Sequence, residues 1–309
     1  MDSTLKNLLV LVVDASDRFF QSSTSGDPNQ CLSLSKCLDD SMTFLNAYLL
    51  LSLHNSVAVC LCHQAGSAMV YPLPDQREIS QDSELLKTGK YEPLAVMNAA
   101  VSEGIRETMS MVSVQPHYDL AKSSLLSGAL SKSLCYIHRR KRELPVGQQL
   151  KGRILVVRTS SDMATQYVSM MNCIFAAEKH GIPIDSCVLW EDSGFLQQAS
   201  DLTGGIYIKV PEPAGLVQFM LWTFLPDASS CRQFLALPPV VQVDYRAACM
   251  CHQRLVNVAY VCSVCLSVFC QFNPICALCQ THFKLPTNIA KGKKKKTQPG
   301  TTGPDVAAS

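Results

Sequence analysis

The sequence predicts an α/β fold: a doubly wound, mostly parallel sheet, followed by a small C-terminal metal-binding module. Three observations predict it. Apolar strand-like runs alternate with helical patterns from residue 8 to about 225, the order that builds a parallel sheet covered by helices. The first run, LLVLVV at 8–13, is apolar without alternation, as a strand buried on both faces should be. Near Leu225 the alternation stops and cysteines crowd together, seven of the chain's fifteen falling between Cys249 and Cys279.

Each element follows from its pattern. The stretch 32–53 has helical spacing of apolar residues, and 56–62 and 67–73 are strand-like runs separated by HQAG, a hairpin signal. Residues 74–93 are polar and rich in breakers, so they read as an exposed loop. Helices follow near 95–112 and 119–140. Next come a strand at 153–158, a helix at 164–180, a strand at 184–189, a helix at 194–202, a strand at 205–210 and a last helix at 214–224. Gly204-Gly205 reads as a helix stop. We assign 1–230 to the α/β domain, 231–245 to a linker, 246–285 to the cysteine module and 286–309 to a basic, disordered tail.

Composition narrows the function classes. Hydrophobic residues make up 47% and charged residues 17%, which suits a globular chain. The net charge is +2, but the tail from Lys291 carries +4 and leaves the body at −2. Such a body offers no broad positive field for nucleic acid. LLVLVV is too short for a secretory h-region and ends at Asp14. The apolar stretch 44–62 contains Asn46, His54 and Asn55, so it reads as a buried helix and strand rather than a membrane span. In a reducing compartment, clustered cysteines are more often metal ligands than disulfides.

Residues 246–285 are too few to hold a fold by apolar burial alone. Four thiolates around one zinc ion convert metal affinity into folding free energy. Cys262-Ser-Val-Cys265 and Cys276-Ala-Leu-Cys279 are two Cys-x-x-Cys turns that can face each other across an ion. Their separation of ten residues is tighter than the more usual spacing of about 15–20; the competing reading is a set of buried thiols. Cys249, Cys251 and Cys270 are candidate ligands of a second ion, whereas His252 and His282 read as surface or packing residues. Nine candidate ligands raise a RING-like ubiquitin ligase as an alternative, but no Cys-x-His pair lies between Cys265 and Cys276.

The body shows no catalytic site. It contains no GxxxxGK[ST] phosphate loop, no GxGxxG after the first strand and no GxSxG elbow. The first strand ends VVDASDR, and ligands of open α/β sheets gather at strand C-termini. Asp14 and Ser16 resemble the Asp-x-Ser-x-Ser cation loop of von Willebrand A-type domains. The fifth position is Arg18 instead of serine, Ser124 occupies the place of the second-loop threonine, and Thr159 and Ser160 stand where a third-loop aspartate belongs. We read the site as degenerate and empty, with Asp14 capping a turn.

Four segments carry a resemblance across nearly the whole chain: LLVLVVDAS (8–16), LSGALSKSLCYIHR (126–139), EDSGFLQQASDLTGGIYIKVP (191–211) and DYRAACMCHQRLVNVAYVCSVCLSVFC (244–270). On these the chain resembles the smaller von Willebrand A-type subunits of general transcription and DNA-repair factor IIH. The resemblance implies a nuclear, non-enzymatic subunit that binds zinc and packs against the larger A-type, zinc-containing subunit of the same complex. That partner in turn supports the repair helicase. DNA contact would be indirect or weak, and no membrane is involved. Lys293, Lys294, Lys295 and Lys296 are a candidate nuclear-import signal. RRKR at 139–142 ends a helix, where positive charge suits the dipole. Direct DNA binding through the tail is a further alternative. Val261, Val264, Leu266, Phe269 and Phe272 are candidate interface residues, because so small a core cannot bury them all.

Overall fold

Six consecutive residues of the first strand, Leu8–Val13, are all essentially buried, and their side chains feed two different cores. Leu9, Leu11 and Val13 point to one face of the sheet, and Leu8, Val10 and Val12 to the other. Such a strand must lie between two layers of helices, and the computed structural model shows it there. The structure describes residues 5–15, 34–63, 66–72, 92–113, 124–163, 166–226, 232–235, 243–252 and 254–283. Ser16, Arg18, residues 74–91 of the stretch 74–93 read as a loop, and Lys293–Lys296 lie outside them; residues 92 and 93 of that stretch open a helix instead.

The strands are β1 (Leu5–Asp14), β2 (Asn55–His63), β3 (Gly66–Tyr71), β4 (Gln149–Arg158), β5 (Ile184–Val188) and β6 (Tyr207–Lys209). They form one sheet in the order β3-β2-β1-β4-β5-β6. All neighbours are parallel except β3, which runs antiparallel to β2, the pairing that the hairpin signal HQAG predicts. The helices are α1 (Leu34–Leu51), α2 (Glu92–Ser113), α3 (Leu126–Glu143), α4 (Tyr167–Lys179) and α5 (Gly194–Thr203). Residues of α1 and α2 pack into one core and those of α3, α4 and α5 into the other.

The last helical stretch differs from the single helix expected at 214–224. It is a 3-10 turn (Pro213–Gly215), a short α-helix (Leu216–Phe219) and a π-helical turn (Met220–Phe224). Its end is held by Arg153 of β4, whose guanidinium donates to the carbonyls of Phe224 (2.7 Å) and Pro226 (3.2 Å). These are the orphan acceptors that every helix C-terminus leaves. The apolar stretch at 44–62 divides between α1 and β2, and among the described residues no helix is long and apolar enough to cross a membrane.

The start of α3 is also later than expected, at Leu126 rather than 119. The Leu125 N–H donates to the His63 carbonyl at the end of β2 (3.1 Å), which ties the residue before the helix to the sheet. Gly204 ends α5 in the left-handed conformation (φ +70°), which glycine adopts without steric cost. Gly205 has a different reason. A Cβ there would lie 2.0 Å from the Ile184 carbonyl oxygen, so β5 and β6 could not keep their spacing. Gly205→Ala should therefore lower stability by about 3 kcal/mol, the upper end of overpacking costs. A urea midpoint equal to that of the parent chain would contradict this.

The chain divides into two compact units, Met1–Ala248 and Cys249–Ser309. The boundary thus falls after the stretch 231–245 read as a linker, because the described parts of that stretch are tied to the body. Arg232 forms a bidentate ion pair with Asp185 of β5 (2.9 and 2.5 Å). Further on, the Asp244 carbonyl accepts from Gln198, and the Tyr245 hydroxyl donates to Asp201, both on α5. Asp185 is wholly buried. It also accepts from the Ile206 N–H (2.8 Å) and lies 3.7 Å from Arg153.

The second unit contains β8 (Leu255–Val256), β9 (Tyr260–Val261) and β10 (Val268–Phe269), numbered after β7 (Ala247–Ala248) of the first unit. Strands β9 and β10 pair antiparallel. Its core among the described residues is Cys262, Phe269 and Cys276, with Met250, Cys265, Cys279 and Phe283 packed around them.

Candidate metal centre

Each Cys-x-x-Cys segment folds into the same loop. In the first, Cys262 donates its N–H to the Ser267 carbonyl, and Leu266 donates to the Cys262 carbonyl, both at 2.9 Å. In the second, Cys276 donates to Thr281 and Gln280 donates to Cys276, again both at 2.9 Å. The fifth residue of each loop is left-handed, with φ of 59° at Leu266 and 58° at Gln280. The sixth carries a hydroxyl that meets the second sulfur: Ser267 Oγ lies 3.0 Å from Cys265 Sγ, and Thr281 Oγ1 lies 3.1 Å from Cys279 Sγ. The unit is therefore Cys-x-x-Cys-x-Ser/Thr, used twice, fourteen residues apart. Sequence reasoning found the cysteines but not the two hydroxyl residues; the signal that identifies them is the repeat of CSVCLS as CALCQT.

The loops face each other. Cys262 and Cys279 approach to 3.6 Å, as do Cys265 and Cys276. All four sulfurs lie within 4.8 Å of one another. A tetrahedral ion with bonds of about 2.3 Å to sulfur would hold its thiolates about 3.8 Å apart, close to the spacing seen. The hydroxyl and N–H of Thr281 pull the Cys279 thiol down to about 6, and the same groups of Ser267 lower Cys265. A thiolate is the form that binds metal.

A second cluster lies in the same unit. Cys249, Cys251, His252 and Cys270 also place one ligand atom each within 4.8 Å of the others. Cys251 Sγ is 3.4 Å from Cys270 Sγ, and His252 Nδ1 is 3.2 Å from both. The backbone N–H of Arg254 is the main cause that brings Cys249 down to about 6. His252 had read as a surface residue; it is exposed, yet it aims Nδ1 at the sulfurs. His282 pairs by its backbone with Ile275. Within the clusters the thiols divide: the neighbouring Cys251 thiol holds Cys270 up to about 11, and Cys262 is also held up to about 11. In the body, burial pushes Cys37 up to about 12 and Cys60 up to about 11, so they are neutral core residues.

Of the expected interface residues, Val261, Val264, Leu266 and Phe272 are exposed. Phe269 is not. It sits on β10 between Cys262 and Cys276 and is part of the core.

The end of β1 shows how the loop at Asp14 is satisfied. Asp14 Oδ2 accepts from the Ser160 hydroxyl (2.6 Å) and from the N–H groups of Ser160 (2.9 Å) and Thr159 (3.3 Å). Ser124 Oγ is 3.2 Å from Ser160 Oγ. Protein donors thus occupy one carboxylate oxygen of Asp14. Arg158 closes this end of the sheet, donating to the carbonyls of Ser160 and Ser161 and pairing with Asp162 (3.1 Å). Asp162 in turn accepts from the Ser193 hydroxyl (2.7 Å) and the Phe195 N–H (3.1 Å) at the start of α5, where a carboxylate complements the helix dipole. In RRKR, Arg139 and Arg140 pair with Glu143 in the last turn of α3, as a helix terminus would.

Sheet order, parallel pairing with one antiparallel edge, and polar groups converging where β1 and β4 end define a von Willebrand A-like domain, here followed by a cysteine-rich module. The family model described as "Transcription factor Tfb4" matches residues 6–280, and the chain belongs to that family. Similar proteins include general transcription factor IIH subunit 3 of Dictyostelium discoideum, 40% identical over 85% of this chain and 72% of that protein. The IIH subunit TFB4 of Arabidopsis thaliana is 35% identical over 96% of both chains. Among solved structures, the TFIIH p34 N-terminal domain superposes with a TM-score of 0.59 at 28% identity, covering 71% of this chain and 97% of that one. The first two relatives are named as subunits of general transcription factor IIH.

Proposed function

We propose that the chain is a non-catalytic structural subunit of general transcription factor IIH, acting in the nucleus in RNA polymerase II initiation and nucleotide excision repair. Family membership and the names of its relatives support the complex; the cysteine module supports the role. Cys262, Cys265, Cys276 and Cys279 would hold one zinc ion, which supplies no reaction but fixes the module's shape. Lys293–Lys296 would direct nuclear import, and the polar end of β1 around Asp14 would be structural.

The observation that carries the docking role is the apolar rim around the first cysteine quartet. Val264 is 64% exposed, Leu266 71% and Leu278 60%. Leu266 is the telling residue. It is left-handed, a conformation that costs a branched residue about 1–2 kcal/mol, and its apolar side chain faces water. The equivalent position in the other loop is the polar Gln280. Neither cost is offset among the described residues, so the surface fits a protein partner. On this reading the partner is the larger A-type, zinc-containing subunit of the complex. The triple change Val264→Ser, Leu266→Ser, Leu278→Ser should abolish co-purification of that subunit with the full chain while leaving its zinc content unchanged. Undiminished capture at unchanged zinc content would refute the reading.

A further inference from the structure

The order of the eight candidate ligands along the chain is informative. Cys249, Cys251 and His252 come first, then Cys262 and Cys265, then Cys270, then Cys276 and Cys279. The two clusters are therefore interleaved: the fourth member of one, Cys270, lies on the segment that joins the two Cys-x-x-Cys loops of the other. We infer that Cys249, Cys251, His252 and Cys270 form a second zinc site, with three sulfurs and one imidazole nitrogen, laced through the first.

Packing does not explain the cluster. Cys251 and His252 are exposed and Cys270 is half-buried, so no apolar burial drives them together. Yet the main chain builds the cluster deliberately. Cys249 donates its N–H to the Arg254 carbonyl (2.9 Å), closing a turn that carries three ligands. Met250, in the middle of that turn, donates to the Val268 carbonyl (2.8 Å) on β10. This bond docks the turn beside the strand that leads, two residues later, to Cys270. Three sulfurs with one imidazole in tetrahedral reach suit zinc rather than a hard cation.

Interleaving has a physical consequence. Cys270 can reach the second site only when the loops of the first are closed on either side of it. Metal at the first site thus prearranges the second, and metal at the second pins 249–252 to the segment between the loops. Neither ion closes only a local hairpin.

The test is metal analysis of the purified full chain with single substitutions. The expected content is two zinc ions per chain. His252→Ala and Cys270→Ser should each bring it to one, and His252→Cys should keep it at two. Cobalt replacement should show seven thiolate bonds in the parent chain and four in His252→Ala. Circular dichroism of the α/β body serves as the folding control for each variant. One zinc in the parent chain, unchanged content in both His252→Ala and Cys270→Ser, or a Cys251–Cys270 disulfide in the purified protein would overturn the proposal. Cys276→Ser, which opens the first site and with it the module, should lose both ions, whereas His252→Ala and Cys270→Ser should lose one, so failure of the second site is distinguishable from failure of the first. The outcome is also independent of partner capture.

Discussion

Cys276→Ser is expected to unfold the C-terminal module and leave the α/β body standing. Cys276 and Cys262 are buried, and with Phe269 they make up the module's core among the described residues. One aromatic side chain contributes only about 1.5–3 kcal/mol of burial, far below the cost of ordering some thirty residues at about 1–2 kcal/mol each. A structural zinc ion contributes about 10–16 kcal/mol in comparable small modules, so the metal term decides whether the module folds. Hydrogen exchange on the full chain should show protection lost across 254–283 and retained in β1, β4 and β5. Chelation of the parent chain should give the same map. A module still protected without metal would refute the zinc reading. Ser267→Ala and Thr281→Val should act more gently, weakening zinc retention by about 10–100-fold, as loss of a ligand's outer hydrogen bond does.

Asp185→Ala should cost the body about 3–5 kcal/mol, a large share of the 5–15 kcal/mol typical of a domain. Asp185 is the buried counter-charge for Arg232 and lies beside Arg153. Removing it leaves two guanidinium groups facing each other with no carboxylate between them, and it also strands the Ile206 N–H. If charge is the cause, adding Arg153→Met and Arg232→Met to the alanine variant should recover part of the loss, because an all-apolar replacement of a buried ion cluster is often tolerated. Denaturant titration checks both. A change below about 1 kcal/mol in Asp185→Ala would show that the pair is not what holds 232–235 to the sheet.

The body was legible because parallel strands are buried on both faces. Leu8–Val13 and Ile154–Val157 therefore read as unbroken apolar runs, and the helices between them kept their own period. What the sequence hid depends on contacts between distant segments. The delayed start of α3 reflects Leu125 bonding to His63, and the π-helical turn ends where Arg153 reaches its carbonyls. The stretch 231–245 looks like a linker by composition, yet Arg232 and Tyr245 find partners on β5 and α5. In the module, the first cysteine quartet was visible from spacing alone. His252 was not, since a single histidine beside a cysteine carries no spacing signal until Cys270 is brought to it. Phe269 looked like one more surface apolar residue until β10 turned it inward.

The exposed rim of Val264, Leu266 and Leu278 has a cellular corollary. A face greasy enough to be recognised is also a liability when it stays bare. Copies made in excess of their companion would clump or be cleared by proteases. On the proposed docking role, the abundance of this protein would be tied to the supply of whatever covers that face, a form of stoichiometric bookkeeping written into a few side chains.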